Sequence, residues 1–160
     1  MRKIISIFAA LLMLCALAHA EEIAPAYAAE FADVFTLELP AAWQEQAVSP
    51  EQSDADVIAC FSDGIHFVSI TRTDGEGEYA DIDAYAQAIG DSYDSAMVSQ
   101  LGVADFVCCT DTQALVSQCA TLIPGAGIFT FRFYPTGDAE FARTILDIMG
   151  SFRPVEVKGQ

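Results

Sequence analysis

Outside its hydrophobic first 20 residues the chain carries four cysteines, one histidine and a dense run of acids, and these are the side chains whose types could do chemistry. The cysteines are Cys60, Cys108, Cys109 and Cys119, with no Cys-x-x-Cys spacing, so neither a thioredoxin-like couple nor a zinc ribbon is signalled. An even number of cysteines in an exported chain favours disulfides. Cys108 and Cys109 are neighbours on a strand and point to opposite faces, so at most one of them can oppose Cys119. If residues 110 to 118 form the connection, Cys109 lies opposite Cys119, and this pair is the disulfide expected here. The alternative is four buried thiols that pack as small hydrophobes.

His66 is the one histidine left after the leader. A serine or cysteine nucleophile would need a base beside it, and no other residue could supply one, so triad-type hydrolysis is disfavoured. A lone histidine on a hairpin reads as a partly exposed polar residue rather than a metal ligand shared with Cys60. Asp74, Glu76 and Glu78, followed by Asp81 and Asp83, form the densest carboxylate cluster and could hold Ca²⁺ through Asp74, Glu76 and Glu78. They lack the Asp-Gly loop with a bidentate glutamate at its end, and the ordinary reading is a solvated loop whose acids favour a helix N-terminus. Trp43 is the candidate partner contact, with burial in the core as its ordinary alternative. No catalytic residue, cofactor motif or resident metal is expected.

These residues sit in a chain of 160 residues with 53% hydrophobic and 19% charged side chains, enough for one packed domain and too short for a multidomain enzyme. The net charge is -16; without Arg2 and Lys3 it becomes -18, with five Lys+Arg against 23 Asp+Glu. So few cations cannot build a phosphate-tracking surface, which disfavours nucleic acid and anionic membranes as partners. Residues 1–20 read as a Sec-type signal peptide: Arg2 and Lys3, an apolar run from Ile4 to Leu17, then Ala18-His19-Ala20, with cleavage expected between Ala20 and Glu21. The apolar run is shorter than a bilayer span, and no membrane insertion of the mature chain is expected. The mature protein is therefore expected to be secreted or extracytoplasmic.

The positioning elements follow from periodicity. Residues 21–30 read as a flexible N-terminal arm, 31–154 as one domain and 155–160 as a C-terminal tail. Phe35, Leu37 and Leu39 alternate along a strand that Pro40 stops. Val57–Ser62, Asp63-Gly64 and Ile65–Arg72 read as a hairpin with a two-residue turn that places Ser62 opposite Ile65. Asp81 caps a helix whose apolar stripe runs through Ile82, Tyr85, Ala86, Ile89 and Tyr93. Further strands are read at Val103–Cys109, Gln118–Ile123 and Ile128–Tyr134, the last with Phe129, Phe131 and Phe133 on one face. That register places Cys119 opposite Arg132, away from the three phenylalanines. A final helix, capped by Asp138 or Thr136, carries Phe141, Ile145, Ile148, Met149 and Phe152. The order gives an α+β fold, an antiparallel sheet of about six strands covered by helices.

Several of these stretches together resemble the PsbP-like superfamily of small, often exported proteins. They are Phe35-Thr36-Leu37-Glu38-Leu39-Pro40 with Trp43 following, the hairpin ending Phe61-Ser62-Asp63-Gly64, the helix around Asp83-Ala84-Tyr85, and Phe129-Thr130-Phe131-Arg132-Phe133 before a helix closed by Gly150-Ser151-Phe152. The resemblance implies an α/β/α sandwich from Phe31 to Pro154. It implies no shared catalytic residues, and a scaffold for an accessory or binding role. The expected function is thus an exported, non-catalytic binding or accessory domain whose partner is a protein or small ligand. The alternatives are a glycosidase-like enzyme using paired carboxylates and a Ca²⁺ module built on the 74–83 loop.

Overall fold

The computed structural model describes residues 26–31, 33–48, 56–75 and 77–155. The cleavage expected between Ala20 and Glu21, and the position of Glu76, lie outside these residues. Among the described residues ten strands and two helices follow in the order β1 (Ala26–Phe31), β2 (Phe35–Pro40), β3 (Gln44–Glu45), β4 (Val57–Ser62), β5 (Phe67–Thr73), α1 (Ile82–Ile89), a 3₁₀ turn (Gly90–Ser92), β6 (Ser95–Leu101), β7 (Ala104–Asp111), β8 (Val116–Ile123), β9 (Gly127–Tyr134), α2 (Ala139–Gly150) and β10 (Arg153–Pro154). Seven strands form one sheet in the order β3-β4-β5-β9-β8-β7-β6, and β1-β2-β10 form a second. Every pairing is antiparallel.

The alternation along β9 builds the main core. Phe129, Phe131 and Phe133 face Phe35, Leu37 and Leu39 of β2 and the stripe Phe141, Ile145, Ile148 and Met149 of α2, all buried. Phe35 stands at the centre, its ring 4.7 Å from Phe31, 5.1 Å from Phe129 and 5.1 Å from Phe152. Aromatic side chains of this size bury 150–250 Å² each and dominate such a core. On the other face of the large sheet Tyr85, Val107, Cys109, Ala120 and Ile128 form a smaller cluster, with Ile82, Ala86 and Ile89 of α1 against it. The layers are therefore α1, the large sheet, and then α2 with the small sheet. Both helices start as the sequence requires: Asp81 accepts from Ala84 N at 2.8 Å, and Asp138 from Glu140 N and Phe141 N at 2.8 and 2.9 Å.

Four expectations are corrected. The arm read over 21–30 includes a strand, because Ala26–Glu30 pairs with Thr36–Pro40 of β2. Tyr93 does not extend the first helix: the chain leaves α1 after Ile89 and returns as β6, an edge strand of the large sheet that the sequence reading did not include. The β4–β5 turn holds four residues, pairing Ser62 with Phe67, because Asp63 Oδ1 accepts from both Ile65 N and His66 N. Finally, β7 and β8 meet in a register that places Cys108, not Cys109, opposite Cys119, while Cys109 faces Gln118. Cys119 pairs with Phe131 on β9 and shares the phenylalanine face; Gln118 takes the place opposite Arg132.

Candidate functional site

Trp43 belongs to the core. It is 3% exposed, its ring stacks on Phe141 at 6.1 Å, and its carbonyl accepts a hydrogen bond from Tyr27. The partner contact expected at Trp43 is thus closed by packing. In the acidic loop Asp74 pairs with Arg72 at 3.2 Å, and Asp81 is committed to the helix cap. Among the described residues no three His, Cys, Asp or Glu side chains converge to hold a metal ion. Beside this loop lies a cleft of about 550 Å³ lined by Tyr79, Asp81, Ile82, Asp105, Thr121 and Ile128. The Thr121 hydroxyl there donates to the Asp105 carbonyl at 2.9 Å.

His66 was the residue whose surroundings the sequence left unread. Its Nδ1 lies 3.0 Å from Asp63 Oδ2, its Nε2 lies 3.5 Å from Asp138 Oδ2, and its ring stacks on Phe141. Burial raises the Asp63 carboxyl, but hydrogen bonds from His66 and Ile65 outweigh it and hold the group below its ordinary value. Backbone N–H donation from Phe141 and Glu140, with His66, likewise lowers Asp138. The imidazole is enclosed by two carboxylates and a phenyl ring, and it ties the β4–β5 turn to the start of α2.

The site that remains open is on the large sheet. α1 packs over β6 and β7, and beyond it no described element covers the side chains at the Phe67 and Tyr134 ends of β5 and β9 on the same face. Phe67 and Tyr134 are directly paired across the two strands, 45% and 49% exposed. Arg132 and Ser69 form the next pair on that face. With Gln46, Cys60 and Val116 these residues line a cavity of about 430 Å³. Arg72 is held by Asp74 and the Ala126 carbonyl, Arg153 by the Gly150 and Phe152 carbonyls, and Arg143 also has a partner. Among the described arginines Arg132 alone has no hydrogen bond or ion pair to a described residue. A planar guanidinium with five donors, beside two exposed aromatic rings, suits a carboxylate carried on an apolar body. Burial raises the Cys60 thiol, which keeps it protonated at the edge of this cavity.

The architecture has known counterparts. Over 84% of this chain and 95% of the other, the structure matches the solution structure of the cyanobacterial PsbP protein CyanoP from Synechocystis, with a TM-score of 0.57 and 12% identity. The fold is PsbP-like. A second match is a crystal structure from Bacteroides thetaiotaomicron, with a TM-score of 0.53 and 14% identity; it covers 79% of this chain and 47% of that one. No protein-family model matches the chain, and no curated protein matches it in sequence. At these identities the likeness concerns the PsbP-like scaffold alone. No helix among the described residues is long and apolar enough to cross a membrane.

The sequence missed the Arg132 face because Phe67 and Tyr134 are both aromatic strand residues, which by themselves read as core. A signal was present: Arg132 and Tyr134 alternate with Phe131 and Phe133, so the face opposite the phenylalanines had to carry a cation and a phenol.

Proposed function

We propose that the chain is an extracytoplasmic, non-catalytic binding domain that engages a protein or small-ligand partner through the open sheet face at Arg132. The observation that carries this reading is the exposed Arg132, with no hydrogen bond or ion pair to any described residue, in a cavity flanked by Phe67 and Tyr134. A chain of net charge -16 repels polyanions, so the complementary group is one carboxylate with apolar surface around it. Exposed aromatics and arginine are the side chains that dominate binding interfaces when they become buried. The PsbP-like scaffold and the signal-peptide pattern of residues 1–20 are consistent with an accessory role outside the cytoplasmic membrane. His66 supports the non-catalytic reading, since the nitrogen that a nucleophile would use is turned to Asp138.

The test is affinity capture from the native envelope fraction with wild type and Arg132→Glu, each checked for an unchanged Tm. A captured component lost with Arg132→Glu and retained with Arg143→Glu supports the reading. Equal capture by wild type and Arg132→Glu removes this face from the function. Hydrolysis of a glycoside panel that Asp105→Asn abolishes would replace the binding reading with the carboxylate-enzyme alternative.

A further inference from the structure

Cys108 and Cys119 are directly opposed on adjacent antiparallel strands, and their Sγ atoms lie 3.7 Å apart. Opposed Cα atoms in an antiparallel ladder are ~4.5 or ~5.5 Å apart depending on the kind of pair, and both values fall inside the disulfide range. Cys119 is buried in the main core, while Cys108 is half-buried beside Met97, its partner on β6, which is 62% exposed. The other two thiols cannot substitute. Cys109 points to the α1 face, and Cys60 lies on β4, separated from β7 by β5, β9 and β8. Four inter-strand steps amount to about 19 Å, beyond any bridge.

We propose that Cys108 and Cys119 are a dithiol that closes to a disulfide, staples β7 to β8 on the core face, and reopens under reduction. Cys108 is the attacking thiol, since it is the half-buried member of the pair while Cys119 is buried. Hydrogen bonds from Cys119 and Ser99 lower it despite burial, whereas the bond to Cys108 and its own burial raise Cys119 well above the ordinary range. The oxidant is a disulfide, either of an extracytoplasmic thiol oxidase or of a low-molecular-weight thiol. Cys108 gives its proton to solvent, and its thiolate attacks one sulfur of that disulfide, forms a mixed disulfide and releases the second sulfur as a thiolate that takes up a proton from solvent. Cys119 then attacks Cys108 Sγ, displaces the first oxidant sulfur, and its proton passes to a departing thiolate. Two protein thiols are oxidised and one oxidant disulfide is reduced to two thiols.

The bridge is independent of the Arg132 face, because it lies on the opposite side of the sheet. The experiment uses the folded secreted chain, fully reduced and then exposed to oxidised glutathione under native conditions. The expected result is loss of two alkylatable thiols and a mass lower by about 2 Da, the two hydrogens removed as thiols become disulfide. A Tm rise on the order of 5–10 °C, reversed by reductant, should accompany it. Because Cys108 and Cys109 share a peptide, Cys109→Ser assigns the bridge: it should still close, while Cys108→Ser, at the half-exposed position, should not. Four alkylatable thiols after oxidation, a stable glutathione adduct on Cys108 without closure, or a bridge lost in Cys109→Ser would each overturn the proposal.

Discussion

The imidazole of His66 lies flat on the phenyl ring of Phe141, centroids 3.9 Å apart and planes 20° from parallel. One side chain of α2 thereby receives the β4–β5 turn on one side and stacks on Trp43, at 6.1 Å. Removing Phe141 should do more than open a cavity, since two elements lose a shared contact. Phe141→Ala is expected to cost about 3–5 kcal/mol, and Phe141→Leu distinctly less. Denaturant unfolding checks both; equal small losses would show that the ring is not the joint.

Acid should weaken the same joint through its carboxylates. Asp63 and Asp138 are both held below the ordinary carboxyl value of 3.8 in the folded chain. A depressed folded value means stability that is fully present above the unfolded value and lost as pH falls through the folded value. The Tm difference between wild type and Asp63→Asn should therefore be constant from about pH 6 to 5 and shrink below about pH 4, where the unfolded carboxylate takes up its proton. A difference that stays flat down to pH 2 would contradict the arrangement.

Two glycines at positive φ should respond differently to alanine. Gly64 has φ +95° in the β4–β5 turn with nothing near the place of a Cβ, whereas Gly102 has φ +62° and a Cβ there would strike the Gly150 carbonyl at the end of α2. Gly64→Ala is expected to cost about 1–2 kcal/mol from backbone strain alone. Gly102→Ala should cost clearly more, since β6 and β7 must move away from α2. Comparable Tm losses for the two variants would mean that the close approach at Gly102 is unimportant.

How far the sequence could be read depended on whether local pattern and tertiary pairing agreed. The stripes of α2 and β9, the Asp81 and Asp138 caps and the two-helix α+β organisation were legible because period and cap chemistry point the same way. β6 was not. Its residues Ser95–Leu101 are half polar, as an edge strand permits, and Tyr93 falls in phase with the preceding helix. β1 was hidden by alanines, which carry little strand preference. The cysteine pairing failed by one residue. Ile123 pairs with Gly127, so the β8–β9 turn is one residue shorter than read, and the β7–β8 register slips likewise. In a sheet, one step exchanges the faces, which puts Cys119 on the phenylalanine side instead of the side away from it and changes its partner from Cys109 to Cys108.

The outer position of β6 has a consequence for how copies of the chain meet one another. This edge carries no lysine, arginine or proline, and it presents Met97 and Val98 to solvent beside a backbone row with which no described strand pairs. Sheets usually protect such a margin with local charge. Here the protection is global, a net charge of -16 that keeps molecules apart at neutral pH and vanishes near the isoelectric point of about 4.1. Light scattering at that pH should register self-association that Val98→Lys suppresses, and an unaltered signal in Val98→Lys would place the contact elsewhere. Colloidal stability in this molecule is thus a property of the acids everywhere on its surface, held in common by residues that never approach the strand they shield.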